Sequence, residues 1–195
     1  DPDQLRIDTS RLHHGLEHTH VRCEMMACLA IDAETYNERT EIESKAALNF
    51  STAMHHVDAI VRRWPNDHPR IIIDRHGGKI RYRNDLQLCW PETHIQILIE
   101  DPSMSRYRLR FGDSLVTITF ASKSDEHHFP VALASMIAKY TRELHMIRLN
   151  RYFAGMMPKL KPTAGYVTDG RRFLKEIEPL LANNRINRDD LVRTS

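Results

Sequence analysis

The chain has 195 residues, of which 41% are hydrophobic and 28% charged, the balance of an ordinary globular protein large enough to bury a core. Its formal net charge of +2 is too small to mark a nucleic-acid binder by itself. No apolar run approaches the ~20 residues that a membrane-spanning helix needs. Three cysteines (Cys23, Cys28, Cys89) are odd in number and lack CxxC spacing. They read as reduced thiols of a cytoplasmic protein, not as a disulfide framework or a zinc site.

Residues 1–20 are polar and carry His13, His14, His18 and His20, which predicts a loop or a poorly packed helix. No cysteine or carboxylate completes a zinc-ligand spacing there. The start, Asp1-Pro2-Asp3-Gln4, has neither a methionine nor a signal-peptide apolar region. A processed chain, or a piece of a longer one, is therefore expected. Val21 to Ile31 is largely apolar and predicts a strand, and Asp32 to Asn37 a turn into a helix. From about residue 38 to 64, Ile42, Ala46, Phe50, Met54, Val57 and Val61 recur at helical spacing. Trp64-Pro65-Asn66-Asp67 stops that helix.

Ile71-Ile72-Ile73 predicts a short strand buried on both faces, and Gly77-Gly78 breaks the chain after it. Strands are expected at 94–99, 106–111 and 115–120, with Gly112-Asp113 as the hairpin signal between the last two. A long helix follows from about 130 to 153, with Pro130 in its tolerated first-turn position. Pro158 and Pro162 mark a loop, and a last helix runs from about 170 to 181. The pattern is mixed α/β: one domain over 1–182 and a polar tail over 183–195. Basic clusters at Arg62-Arg63, Arg70 to Arg83, Arg106/Arg108/Arg110 and Lys159/Lys161 are either solvated faces or phosphate contacts.

Asp74 closes the apolar strand, where open α/β sheets place their ligands. A second carboxylate, Asp125, follows the last strand and precedes the long helix. On that helix Ser135, Lys139 and Arg142 fall at i, i+4 and i+7, a polar stripe, while Leu133, Ile137, Tyr140, Leu144 and Ile147 form the opposite apolar face. Two carboxylates near basic side chains suit divalent-metal phosphoryl chemistry, with acids holding the ions and cations meeting phosphate oxygens. The alternative for each Asp is a structural one: a strand-end cap for Asp74 and a helix-entry residue for Asp125.

The stretch from Val131 to Leu144 contains Ala-Ser-Met-Ile-Ala-Lys-Tyr-Thr-Arg-Glu. It resembles the helix that follows the last catalytic Asp in ribonuclease HII, the type 2 ribonuclease H, where an Ala-Ser-Ile-x-Ala-Lys-x-Thr-Arg-Asp pattern recurs. Lys123-Ser124-Asp125 is similar to that family's Lys-Gly-Asp, and Ile71-Ile72-Ile73-Asp74 to its apolar strand ending in Asp. Pro162-Thr163-Ala164-Gly165-Tyr166-Val167-Thr168 resembles its Lys-Gly-Tyr-Gly-Thr segment. The resemblance covers roughly residues 30 to 180. Two departures stand out: an inserted hairpin at about 94–120, and no first strand with the Gly-x-Asp-Glu-Ala-Gly-Arg-Gly motif. Leu29-Ala30-Ile31-Asp32-Ala33-Glu34 has an apolar lead and two acids, but no glycine-rich loop follows it. The first strand is expected to lie outside this sequence.

The resemblance implies a ribonuclease H-like mixed sheet flanked by helices, with this chain holding the later part of that fold. It implies an endonuclease that cuts the RNA strand of RNA–DNA hybrids, or at ribonucleotides in duplex DNA. Asp74 and Asp125 would then help hold two Mg²⁺ or Mn²⁺ ions about 4 Å apart. Tyr166 would pack against the sugar at the RNA–DNA junction. Lys139 and Arg142 would face phosphate or hold Asp125 in place, and Lys159, Lys161 and Thr168 would meet the nucleic-acid backbone. A monomer is expected. The competing expectation is a non-catalytic nucleic-acid-binding module of the same fold.

Overall fold

The computed structural model describes residues 1–184 and 186–194. Its centre is a four-stranded sheet of β1 (Arg70–Asp74), β2 (His94–Glu100), β3 (Met104–Phe111) and β4 (Ser114–Ala121), in the order β1-β4-β3-β2. β1 runs parallel to β4, with Arg70 opposite Thr117 and Asp74 opposite Ala121. β2, β3 and β4 form an antiparallel meander, so the segment expected as an inserted hairpin is not an appendage but three of the four strands of the sheet. This is the mixed sheet with flanking helices of a ribonuclease H-like α/β fold.

The helices are α1 (Pro2–His18), α2 (Ala33–Ile42), α3 (Lys45–Arg63), α4 (Arg83–Cys89), α5 (Ser124–His127), α6 (Phe129–Met156) and α7 (Val167–Asn184), with a 3-10 turn at Arg188–Asp190. α3 carries Phe50, Met54 and Val57 against Ile71, Ile95, Tyr107, Leu109, Val116, Ile118 and Phe120 on one face of the sheet. Tyr82 and Leu86 close the edge of this cluster from the start of α4. Side chains buried to this degree contribute about 1.5–3 kcal/mol each, which makes the α3–sheet layer the stable centre. A second cluster of Phe153, Phe173 and Ile177 joins α6 to α7, with Ile186 and Leu191 packed against it. Beyond α7 the chain returns to α2. Asn37 donates to the carbonyls of Asp189 and Val192 at 2.9 Å, and its amide oxygen accepts from the N–H of Thr194 at 2.7 Å.

Several expectations are corrected. Residues 21–31 form no strand, and 21–30 lie exposed, because their apolar side chains meet no sheet edge. Asp32 caps α2 by accepting from the N–H of Thr35 at 2.8 Å, which holds its carboxyl below the usual carboxylate range. The single helix expected at 38–64 is two, broken at Glu43-Ser44, where Ser44 caps α3 through the N–H of Ala47. β1 is not buried on both faces: Ile71 is buried, but Ile72 and Ile73 are half-buried on what is an edge strand. α4 has no counterpart among the expected elements. The apolar face expected on α6 is only partly covered: Leu133 and Ile137 are half-buried, while Tyr140, Leu144 and Ile147 are exposed. Among the described residues no helix is long and apolar enough to cross a membrane.

Candidate active site

β1 and β4 point the same way, so the chain leaves both at one end of the sheet. Beyond β4, Lys123 adopts φ 52° and turns the backbone into α5. This brings Ser124 onto Asp74: the backbone N–H and the hydroxyl of Ser124 both donate to Asp74 Oδ1, each at 3.0 Å. Asp125 follows directly, exposed in the first turn of α5. The two acids therefore share the carboxyl end of the parallel strand pair, the place where α/β sheets bind ligands.

The loop after Asp74 is fastened to the meander. Arg75 donates from its guanidinium to the carbonyls of Pro102 and Asp101, at 2.5 and 3.0 Å. The His76 N–H donates to the Tyr82 hydroxyl at 3.1 Å, and the Tyr82 N–H to the Tyr107 hydroxyl at 2.8 Å. Tyr107 in turn donates to Glu100 Oε1 at 2.5 Å. Tyr82 stacks flat on Phe120, ring centroids 3.8 Å apart. Burial, then Lys79, lowers the His76 pKa against the opposing pull of Asp74, so this imidazole favours its neutral form. Burial, then the Glu100 contact, raises the Tyr107 hydroxyl pKa.

The expected nucleic-acid residues fall into two groups. Arg142 and Tyr166 meet: the guanidinium lies 4.8 Å from the Tyr166 ring centroid and donates to the Ala164 carbonyl at 2.5 Å. Arg142 also pairs with Glu143, so it fastens the 163–166 loop and makes no ion pair with Asp125 among the described residues. Tyr166 is 67% exposed, an aromatic face presented to solvent. Lys139, Lys159, Lys161 and Thr168 are exposed, the first on α6, the lysine pair in the loop beyond it and Thr168 at the start of α7.

The loop itself is tightly built. Asn150 bonds both backbone groups of buried Thr163 at 2.8 Å. Asp169 accepts from the Thr163 hydroxyl and the Ala164 N–H, at 2.7 and 2.8 Å, and from Arg172. The Arg172 contact, then Thr163 and Ala164, brings the Asp169 carboxyl down to about 2.

The family model of ribonuclease HII matches residues 91–194, more than half of the sequence. The chain belongs to the ribonuclease HII family. That membership places it among ribonuclease H-type nucleases, a family that generally works with divalent metal ions. No curated protein matches the chain, and no solved structure does. The family match includes Asp125, all of α6 and the Tyr166 loop, and Asp74 precedes it.

Asp74 and Asp125 offer the hard oxygen donors that Mg²⁺ and Mn²⁺ prefer. Among the described residues, however, no group of three His, Cys, Asp or Glu side chains comes together to hold a metal. The two acids are not a complete ligand set. Ser124, Tyr82 and Tyr107 are the residues that sequence reasoning missed. Ser124 carried a signal, its place in the Lys-Gly-Asp pattern, whereas the tyrosine relay is visible only in three dimensions.

Proposed function

We propose that this protein is a divalent-metal-dependent endonuclease acting on RNA–DNA hybrids or on ribonucleotides within duplex DNA. The observation that carries this reading is the double hydrogen bond from Ser124 to Asp74, which sets Asp74 beside the residue next to Asp125. In this reading both carboxylates are metal ligands, and further carboxylates complete the set. β1 is an edge strand of the described sheet, so its outer side offers unpaired backbone groups to another strand. A strand seated there would end beside Asp74. The Tyr166 ring, backed by Arg142, is the surface for a sugar. Lys139, Lys159, Lys161 and Thr168 contact the nucleic-acid backbone.

The test is cleavage by the full-length gene product of all-DNA, all-RNA, hybrid and single-ribonucleotide duplexes, in Mg²⁺ and then Mn²⁺. Asp74→Asn and Asp125→Asn should each abolish metal-dependent cutting and still unfold cooperatively. Asp74→Asn should lower the midpoint by no more than a few degrees, because it keeps an oxygen for Ser124 but loses the charge. Full activity of Asp74→Asn on a hybrid would overturn the assignment. One observation favours a second reading, a binding module that does not cut: the two acids gather no third ligand among the described residues. Duplex binding with no cleavage in either metal would select it.

A further inference from the structure

We infer that the face of the sheet that bears Asp74 carries, away from the two acids, a second contact surface for the sugar–phosphate backbone of a duplex. The register defines it. Cross-strand partners share a face, and residues alternate faces along a strand. The face opposite α3 therefore carries Arg70, Ile72 and Asp74 of β1. It also carries Leu115, Thr117, Thr119 and Ala121 of β4, and Met104, Arg106, Arg108 and Arg110 of β3. β2 adds His94 beside Arg110 and Gln96 beside Arg108. One row across the sheet thus reads Arg70, Thr117, Arg108, Gln96, and the next reads Leu115, Arg110, His94.

Arg70, Arg108, Arg110, His94 and Gln96 are all exposed. Arg106, half-buried, donates to Thr119 at 3.1 Å. Among the described residues none of these four arginines is in an ion pair. Asp74 is the one acid that the described strands place on this face. It lies four residues along β1 from Arg70, about 13 Å at strand rise.

A face that serves solubility alone interleaves both signs. Here successive same-face positions of β3 repeat the same charge about 7 Å apart, an arrangement that repels itself until an anion meets it. The chemistry selects the anion. Guanidinium forks suit phosphate oxygens, Thr117 and Gln96 add neutral hydrogen-bonding groups, and the exposed part of the face has no aromatic anchors for a lipid surface. A nuclease family supplies the polyanion. The surface does not require Asp74 or Asp125 to be metal ligands.

The test is equilibrium binding of the full-length protein, in chelator, to a labelled all-DNA duplex and a hybrid across a salt series. The triple variant Arg70→Gln/Arg108→Gln/Arg110→Gln should bind at least tenfold more weakly at about 0.1 M salt. Its log K against log salt should flatten by roughly 0.9 for each phosphate that the variant no longer neutralises. The corresponding triple lysine variant should keep most of the slope. Unchanged affinity and slope in the glutamine variant, with an unchanged unfolding curve, would overturn the inference. So would displacement of the duplex by polyglutamate as effectively as by unlabelled duplex, since that marks attraction to any polyanion. Failure of the metal assignment appears only in cleavage, and failure of this surface appears only in binding.

Discussion

Ser124 donates twice to a single carboxylate oxygen of Asp74, once from its backbone N–H and once from its hydroxyl, each at 3.0 Å. The backbone bond survives any substitution except proline, so the side-chain bond can be removed by itself. Ser124 is buried and Asp74 is exposed, which puts the bond at the low end of the 1.5–3 kcal/mol typical of a charged acceptor. Ser124→Ala should therefore lower the unfolding midpoint by several degrees, at roughly 2–4 °C per kcal/mol for a chain of this size. Thermal unfolding with and without added Mg²⁺ measures it. An unchanged midpoint would show that the hydroxyl bond contributes nothing.

Tyr107 sits at the centre of a relay from Glu100 to the backbone of Tyr82. Tyr107→Phe leaves the buried Tyr82 N–H without an acceptor, which costs about 1–3 kcal/mol. Glu100→Gln keeps an oxygen in place to accept from Tyr107 and should cost less. Because the Tyr107 hydroxyl pKa is raised by burial and by Glu100, the group stays protonated, and the difference between the two variants should hold from neutral to mildly alkaline pH. Chemical denaturation of the two variants decides it, and a neutral Tyr107→Phe would break the relay as an explanation.

The Asp169 carboxyl stands at about 2, below its ordinary 3.8, chiefly through its bonds from Arg172. A depressed folded value means that the unfolded chain takes up the proton first as pH falls. Its contribution is thus fully present above about pH 4 and is lost as pH falls toward 2. Asp169→Asn should be less stable than the parent protein at pH 7, and the gap should close between about pH 4 and 2. A gap that stays constant over that window would contradict the assignment.

Gly165 adopts φ 75°, and a Cβ there would lie 3.2 Å from the sulfur and terminal carbon of Met146. The left-handed conformation alone costs a non-glycine residue about 1–3 kcal/mol. Gly165→Ala should destabilise the protein by that amount and displace Tyr166 from Arg142. A fall in midpoint together with weaker hybrid binding is the expected pair of results. Stability loss with unchanged binding would separate the Tyr166 loop from the substrate.

Much of the fold is legible in the residues. The Ile71–Ile73 run, the Gly112-Asp113 turn and the α6 periodicity each have local physical causes, and each element forms where those causes put it. Two elements fail for the complementary reason. The apolar stretch 21–31 has strand composition, but a strand needs a neighbour to bond, and its residues find none. The break between α2 and α3 depends on Ser44 outcompeting a continuous helix for the Ala47 N–H, a choice that apolar spacing does not reveal. The basic side chains of α6 divide in the same way. Lys139 is the exposed cation that its position suggests, whereas Arg142 packs on Tyr166 and, among the described residues, makes no ion pair with Asp125.

By itself the sequence determined the class of fold, the family and the places of two acids, one ending a strand and one just beyond another, since strand pattern and motif spacing are properties of neighbours along the chain. Only the tertiary structure decided that β1 lies parallel to β4 at the sheet edge. That pairing brings Asp74 within hydrogen-bond reach of Ser124, 50 positions away in sequence. It also sets Arg70 on the same face as Arg108 and Arg110. The reason is physical: strand register is fixed by which apolar faces are buried together, and α3 and the meander settle that jointly.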